Sequence, residues 1–140
     1  MFIGEYTYKV DEKGRVPLPP KFRQQMKESV ILAKGIEKCI TVYPIAEWKR
    51  MSDSLATKAV TRADLRKLNR AIFGSASSAS FDRQGRITLP FSQREYAGIG
   101  DTVIVVGANT YVELWSEDDW KPAKTSAEKQ ASQIIESFGE

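Results

Sequence analysis

The chain has 140 residues, with 21 Lys and Arg against 18 Asp and Glu, no His and one Cys. The absence of His excludes a Cys/His metal site, and the lone Cys39 cannot form an intramolecular disulfide. No apolar run has the length of a membrane span, and Met1 to Glu5 lacks the layout of a signal peptide. We therefore expect a soluble cytoplasmic protein without a cofactor.

Charge is distributed unevenly along the chain. Residues 9–27 and residues 46–70 each carry a net charge of +4, whereas residues 113–140 carry −4. A basic patch favours a polyanionic partner through counterion release, although a solvated surface would explain either patch alone. The amino-terminal half is thus the better candidate for contact with a nucleic acid.

One motif occurs twice, at residues 11–23 and again 71 positions later at residues 82–94. Each copy begins with Asp, has Gly-Arg three residues later, continues with a β-branched residue, Leu and Pro, and ends in Arg. Composition alone would rarely repeat so many positions at one offset. The protein is therefore a tandem duplicate, and we expect its two repeats to pack as one unit because each is close to the lower size limit for a core.

The first repeat has a ββαββ pattern. β-Forming residues flank the Asp-Gly turn, a Pro precedes a short helical stretch, and two apolar runs then surround a Lys34-Gly35 turn. Cys39 opens the second of these runs, so core packing is its expected role. The predicted elements are strands at 6–10 and 15–18, a helix at 19–26, and strands at 30–33 and 39–44.

A helical segment separates the repeats. Helical spacing begins at Ala46, residues 52–59 fit either a loop or a longer helix, and Thr61 with Asp64 offers a helix cap. The basic residues of the helix that follows Thr61 are expected to be solvated; they are Arg62, Arg66, Lys67 and Arg70.

The second repeat follows the same plan. Its predicted elements are strands at 76–81 and 87–89, a helix at 91–97, strands at 102–107 and 111–115, and a last helix from 116. Gly107 aligns with Gly35 at an offset of 72. We expect an α+β fold of tandem ββαββ repeats, divided into residues 1–50, an inter-repeat helix at 51–72, residues 73–120 and a polar tail at 121–140 that is helical or frayed.

Each copy of the motif predicts a tight turn that carries an arginine. Asp11 and Asp82 can accept hydrogen bonds from turn amides, while Gly14 and Gly85 supply a positive φ. Two interpretations of Arg15 and Arg86 remain open. Each guanidinium could grip phosphate or guanine, or it could form an internal ion pair with the turn aspartate. For the later arginines, Arg23 and Arg94, we expect a salt bridge from helix to sheet.

Together these motifs resemble the bacterial MraZ family. The likeness covers residues 1 to about 120 at matching spacing and leaves only the tail outside it. It rests on both copies of the motif and on the residues Phe2, Gly4, Tyr43, Pro44, Glu47, Trp48, Phe73 and Gly74. The resemblance implies an AbrB-like swapped-hairpin β-barrel, in which we expect the two repeats of one chain to complete the module internally.

The resemblance also implies a function. Family members assemble into rings and regulate transcription at the promoter of the division and cell-wall gene cluster that begins with their own gene. Lys13, Arg15 and Arg86 are then expected to contact double-stranded DNA. The second repeat has Gln84 where the first has Lys13, and the basic residue at the tip of its turn is Arg83 instead. The implied partners are repeated DNA boxes of the promoter and other copies of the protein, which form a roughly octamer-sized ring at the nucleoid. Neither a membrane nor a small-molecule substrate is expected as a partner.

Two other classes of function compete with that of a regulator. A hydrolase using Asp11 and Asp82 is disfavoured because the chain has no His and no Gly-rich phosphate loop, and turn formation already explains both residues. We therefore predict no catalytic residue. The alternative is a non-catalytic ring-forming protein whose basic turns bind an acidic partner.

Overall fold

A computed structural model describes residues 1–27, 29–58 and 61–139 of the chain. Its strands are β1 (Glu5–Lys9), β2 (Arg15–Pro17), β3 (Ser29–Lys34), β4 (Ile40–Pro44), β5 (Ser77–Ser80), β6 (Arg86–Thr88), β7 (Thr102–Gly107) and β8 (Val112–Trp115). Its helices are α1 (Pro20–Met26), α2 (Ile45–Lys58), α3 (Arg62–Leu68), which continues as a π-helix (Asn69–Phe73), α4 (Phe91–Ala97) and α5 (Glu117–Phe138). The expected α+β fold of two ββαββ repeats is confirmed.

The two repeats exchange their first strands. β1 pairs antiparallel with β7 of the second repeat, and β5 pairs antiparallel with β3 of the first. A six-stranded sheet of order β1-β7-β8-β4-β3-β5 results, and β2 and β6 form a separate two-stranded ribbon. The expectation that one chain completes the swapped module is therefore confirmed.

A pseudo-two-fold axis relates the repeats. Val16 lies opposite Ile87 in the ribbon, and these residues occupy the same position of the two motif copies. On the sheet, Thr41 lies opposite Glu113, again at equivalent positions of the repeats. A residue lies opposite its own counterpart only where a two-fold axis passes between them. The axis therefore passes close to the Val16–Ile87 pair and to the Thr41–Glu113 pair.

Strand register corrects one detail of the internal alignment. Gly107 lies opposite Val112, and Lys34 lies opposite Ile40, which is the counterpart of Val112. Gly107 is thus equivalent to Lys34, and its alignment with Gly35 was wrong. The physical reason is that the α4–β7 connection is two residues longer than the α1–β3 connection, whereas the β7–β8 turn is one residue shorter than the β3–β4 turn.

One core serves both repeats. Val16 and Ile87, from the ribbon, are completely buried together with central sheet residues such as Val42 and Val103. Burial of apolar surface from both repeats in a single cluster supplies the main driving force for folding. The ribbon therefore rests on the shared core, which fixes the position of its outer face.

The inter-repeat segment is helical for most of its length. α2 runs through Lys58, so residues 52–58 continue the helix, while Ala59 lies outside the described residues. The predicted cap at Thr61 is confirmed, since its hydroxyl accepts from the Asp64 amide at 3.0 Å. Trp48 joins α2 to the π-helix through its ring contact with Phe73. Within the described ranges, no helix combines the length and apolar character needed to cross a membrane.

Candidate nucleic-acid interface

The first turn, residues 11–15, is built around the side chain of Asp11. Its Oδ1 accepts from the backbone amides of Lys13 at 3.0 Å and Arg15 at 2.9 Å. Gly14 has a φ of +78° and donates its amide to the Asp11 carbonyl at 3.0 Å. Asp and Gly at this spacing therefore fix the direction in which the chain enters β2.

The second turn, residues 82–86, repeats this geometry closely. Asp82 Oδ1 accepts from the amides of Gln84 and Arg86, both at 2.9 Å, and Gly85 has a φ of +76°. The turns are also linked across the repeats, because the Gly14 carbonyl accepts from the Leu89 amide at 2.8 Å. Both motif copies thus form one connected unit.

The ribbon brings the two motif arginines to the same face. Arg15 lies opposite Thr88, and Arg86 lies opposite Pro17, while Val16 and Ile87 between them point into the core. Because side chains alternate along a strand, these arginines and Thr88 share the outer face. The arginine positions are offset by two residues, or about 7 Å along the ribbon. Thr88 was not foreseen from the sequence, although its position next to the buried Ile87 is the signal for it.

Each arginine pairs with the aspartate of its own turn. The Arg15 Nε donates to Asp11 Oδ2, and the Arg86 Nε donates to Asp82 Oδ2 at 2.9 Å. Arg86 also approaches the other repeat, with its Nη1 3.6 Å from Asp11 Oδ2. The internal ion pair considered for each turn is therefore present. Contact of these arginines with DNA stays a prediction.

An ion pair through Nε leaves donors available. A guanidinium carries five N–H donors in a planar fork, and the aspartate of the same turn engages the Nε edge of each one. The Nη groups of Arg15 make no hydrogen bond within the ranges that the structure describes. The carboxylate thus orients the guanidinium and still leaves an edge with which it can bind an anion.

The carboxylates of both turns are held in their charged form. The pKa of Asp11 is lowered, first by the hydrogen bond from the Arg15 amide and then by the Arg15 guanidinium. The pKa of Asp82 is lowered in the same way by the amide and guanidinium of Arg86. Both aspartates therefore act as fixed anionic acceptors at neutral pH, as the turn-orienting role requires.

The tips of the turns carry the exposed charges. Lys13 and Arg83 are both exposed, and their side chains form no ion pair among the residues that the structure describes. Lys13 stands next to Glu12, whereas Arg83 stands next to the neutral Gln84. The structure therefore groups all four basic side chains that are predicted to contact DNA around one ribbon. Two of them are held by aspartates, and the other two extend into solvent.

Arg23 and Arg94 differ from expectation. Arg23 Nε donates to the Leu18 carbonyl at 3.1 Å, and Arg94 donates to the carbonyls of Ile99 at 3.1 Å and Gly100 at 2.9 Å. The predicted salt bridges from helix to sheet were wrong, because unpaired loop carbonyls take the place of carboxylates. The Arg23 guanidinium also lies against Gly85, so it adds a positive charge beside the second turn.

The remaining reactive residue, Cys39, belongs to the core. It is completely buried and packs with Ile104 and Trp115. Burial raises the pKa of its thiol, and the nearby Glu113 raises it further, so the thiolate is disfavoured. Across the described part of the chain, no cluster of three or more His, Cys, Asp or Glu side chains is suited to a metal ion.

Comparison with known proteins gives concordant results over nearly the whole chain. A family model described as "MraZ protein, putative antitoxin-like" matches residues 1–71 and again residues 72–136. The chain is 49% identical to a protein of Dehalococcoides mccartyi named transcriptional regulator MraZ, over 99% of this chain and 98% of the relative. Proteins of the same name from Syntrophomonas wolfei and Frankia alni are 41% and 43% identical, over 99% and 97% of this chain and 96% and 95% of those relatives.

Proposed function

The chain belongs to the MraZ family, and we propose that it is a sequence-specific DNA-binding regulator of transcription. In this proposal it represses the promoter of its own division and cell-wall gene cluster. Several copies form a ring of roughly eight, located at the nucleoid in the cytoplasm, and offer their turns to repeated DNA boxes. Lys13, Arg15, Arg83 and Arg86 contact the DNA, and the protein is not an enzyme.

The observation that carries this proposal is the convergence of two oriented arginines on one rigid ribbon. Arg15 and Arg86 share the outer face, and each is aimed by a carboxylate hydrogen-bonded to turn amides. A preorganised guanidinium loses less conformational entropy when it binds a base edge or phosphate. A two-stranded ribbon is also narrow enough for the major groove of B-DNA.

Avidity is the reason for a ring. A single ribbon offers few phosphate contacts, and each contact contributes little at physiological salt. When several ribbons are joined, the later binding events become intramolecular and the effective concentration rises into the millimolar range for short spacings. Repeated DNA boxes would therefore be bound much more tightly than one isolated box.

The test is fluorescence anisotropy with a labelled duplex from upstream of the gene and with a scrambled duplex, across a salt series. Loss of a guanine contact in Arg15→Ala or Arg86→Ala should cost about 1–3 kcal/mol and reduce the preference for the upstream duplex. Loss of a phosphate contact should instead weaken binding to both duplexes and reduce the salt slope of binding by about one. Arg66→Ala, an exposed arginine on α3, is the matched control and should change neither quantity.

The second candidate is a non-catalytic ring-forming protein that binds an acidic partner through the same turns. The ion pairs of Arg15 and Arg86 favour it, since aspartates already compensate both charges and leave Lys13 and Arg83 as the exposed cations. Equal affinity of the wild type for upstream and scrambled duplexes would support this candidate and contradict the regulator.

A further inference from the structure

A groove lined by aromatic rings lies on the face of the six-stranded sheet that points away from the ribbon. It has a volume of about 590 Å³ and runs between the β3–β4 turn and helix α2, and we name it the α2 groove. The sheet contributes Thr41, Tyr43 and Glu113 to it, which alternate along their strands with residues of the shared core. Because successive side chains point to opposite faces of a sheet, the α2 groove and the ribbon lie on opposite sides. Its volume is in the range of small-molecule sites.

Three aromatic side chains form one wall of the α2 groove. The Tyr43 ring contacts both others, with its centroid 5.3 Å from that of Trp48 and 5.8 Å from that of Tyr111. The Trp48 ring also contacts Phe73, at 5.1 Å. All three rings of the wall are half-buried. Packing of each ring on a neighbour restricts its motion, so the wall presents aromatic surface that is already in place for a ligand.

Two carboxylates line the same groove. Glu113 is oriented by Trp115, whose Nε1 donates to Oε1 at 3.0 Å, and its Oε2 lies 3.8 Å from the weakly donating thiol of Cys39. Glu37 stands in the β3–β4 turn. Neither glutamate forms an ion pair within residues 1–27, 29–58 and 61–139. The α2 groove therefore holds negative charge that this part of the chain does not neutralise.

The lysine of the lining is engaged elsewhere. Lys34 is the one basic residue among the described residues that line the α2 groove. Its Nζ lies 5.2 Å from the ring centroid of Tyr96, which does not belong to the lining. Burial raises the pKa of Tyr111, and the charge of Glu113 raises it further, which shows that the field of this carboxylate reaches the aromatic wall. The chain itself thus leaves the charge of Glu113 available to a ligand.

These features select a cation over other ligands. Aromatic faces and carboxylates both attract positive charge, and both repel an anion. A neutral apolar molecule would cover the Glu113 carboxylate without pairing with it, at a cost in free energy. A divalent metal ion requires more oxygen ligands than two separate carboxylates supply, and it gains nothing from an apolar wall.

The engaged oxygen of Glu113 narrows the choice further. A guanidinium binds best to both oxygens of one carboxylate, and Trp115 already occupies one of them. An ammonium is a compact charge that needs a single oxygen. Next to the aromatic wall, Met51 and Leu55 of α2 offer apolar surface for an alkyl group. The groove is therefore suited to an ammonium group that carries alkyl substituents.

We propose that the α2 groove binds a small organic cation of the alkylammonium class, with its charge between Glu113 and the aromatic wall and its alkyl part against Met51 and Leu55. The molecule is a ligand and not a substrate. This inference goes beyond the proposed function and does not depend on it, because the groove and the DNA-contacting ribbon lie on opposite sides of the sheet.

Isothermal titration calorimetry of the full chain tests the site with two probes of the same shape. One is choline, and the other is its neutral analogue, in which a carbon atom replaces the nitrogen. At constant ionic strength, choline should bind about 10-fold more tightly than the analogue, because only its charge interacts with the rings and Glu113. Equal binding of both probes, or no binding of choline, overturns the proposal.

Two variants locate the binding site. Glu113→Gln keeps an oxygen for the Trp115 indole and should weaken choline binding by about 10-fold, while Tyr111→Leu should weaken it by about fivefold. Glu128→Gln is the matched control, since it removes the same charge from an exposed position on α5 and should change nothing. Circular dichroism verifies that each variant is folded. A loss in Glu128→Gln equal to that in Glu113→Gln would mean that choline responds only to net charge, and it overturns the site.

Protein concentration and DNA binding provide the remaining controls. Choline affinity that falls as the protein concentration rises would mean that a basic side chain of another copy fills the groove, and it overturns a free ligand. Arg15→Ala should bind choline as the wild type does. If choline binds while the wild type does not distinguish upstream from scrambled duplex, the cation site stands and the regulator falls. If the duplexes are distinguished but choline does not bind, the regulator stands and the cation site is overturned.

Discussion

The two turns share one backbone and differ at their tips. In both, an Asp side chain accepts from two amides and a Gly adopts a φ between +76° and +78°. The first tip carries Glu12 and Lys13, whereas the second carries Arg83 and Gln84. Geometry is thus determined by Asp and Gly, and the two residues between them can change without disturbing the loop. The two repeats therefore share the Asp and Gly that form the turn and differ in the exposed residues at its tip.

A second difference concerns the ion pairs. Among the residues that the structure describes, Arg86 approaches the carboxylates of both turns, whereas Arg15 pairs with Asp11 alone. Asp11 is therefore an acceptor for both repeats, and Asp82 serves only its own. The pseudo-two-fold symmetry of the backbone does not extend to the charges, so equivalent substitutions in the two turns should have unequal effects.

The largest expected difference is between Gly14→Ala and Gly85→Ala. Both introduce a Cβ at a positive φ, at a cost of about 1–2 kcal/mol. At Gly14 the new Cβ would lie 2.9 Å from the Leu89 carbonyl oxygen, which is backbone, whereas at Gly85 it would meet the end of the Arg23 side chain, which can move at the cost of its hydrogen bond to the Leu18 carbonyl. We expect unfolding free energies to fall by about 2–3 kcal/mol for Gly14→Ala and about 1–2 kcal/mol for Gly85→Ala, measured by urea denaturation.

Gly100→Ala provides the control for this pair. An added Cβ there has no neighbour within 4 Å in the described part of the chain, and the φ of Gly100 does not lie in the left-handed region. Its stability should stay the same or rise slightly, because alanine restricts the unfolded chain. A cost at Gly85 equal to or above that at Gly14 would mean that Arg23 is as rigid as the backbone.

A smaller difference is expected between Asp11→Asn and Asp82→Asn. Asparagine keeps an oxygen for the turn amides but loses the charge, so each change isolates the ion pairs. The pKa values of both aspartates are lowered in the folded protein. Their stabilising effect is therefore complete above the ordinary carboxyl pKa near 4 and is lost as the pH falls through the lowered value. Melting temperatures at several pH values measure this effect.

The expected pattern has a clear sign. Each Asn variant should melt below the wild type at pH 7, and the gap should close towards pH 2. Asp11→Asn should open the wider gap at pH 7, because Asp11 also faces Arg86. Equal gaps for both variants would show that the contact between the repeats contributes nothing to stability.

Local chemistry explains which features could be predicted from the sequence. The turns, the β3–β4 and β7–β8 hairpins and the Thr61 cap depend on residues within a few positions of each other, so the chain itself carries the signal. The exchange of β1 and β5 between the repeats leaves no such local signal. Both repeats show the same strand pattern whichever partner each strand takes. Only the assembled sheet distinguishes pairing within a repeat from pairing between repeats.

Gln93 illustrates what sequence patterns miss. It occupies the position of Phe22 in the other repeat and is almost completely buried. Its Nε2 donates to the carbonyls of Leu32 at 3.0 Å and Ser75 at 3.1 Å, which are 61 and 18 residues away along the chain. A polar residue on a short helix predicts exposure. Its burial depends on two distant carbonyls that no local pattern reveals.

The smallest expected effect comes from exchanging the tips, through Lys13→Gln and Gln84→Lys. Each lysine that contacts a phosphate adds about 0.9 to the salt slope of DNA binding, which is about a threefold change in affinity between 50 and 200 mM salt. Lys13→Gln should therefore flatten the slope, and Gln84→Lys should steepen it, without changing the preference between duplexes. Anisotropy titrations on a single DNA box measure both. A slope that responds to position 13 but not to position 84 would mean that only the first turn reaches the DNA backbone, and that the second contributes through Arg86 on the ribbon face.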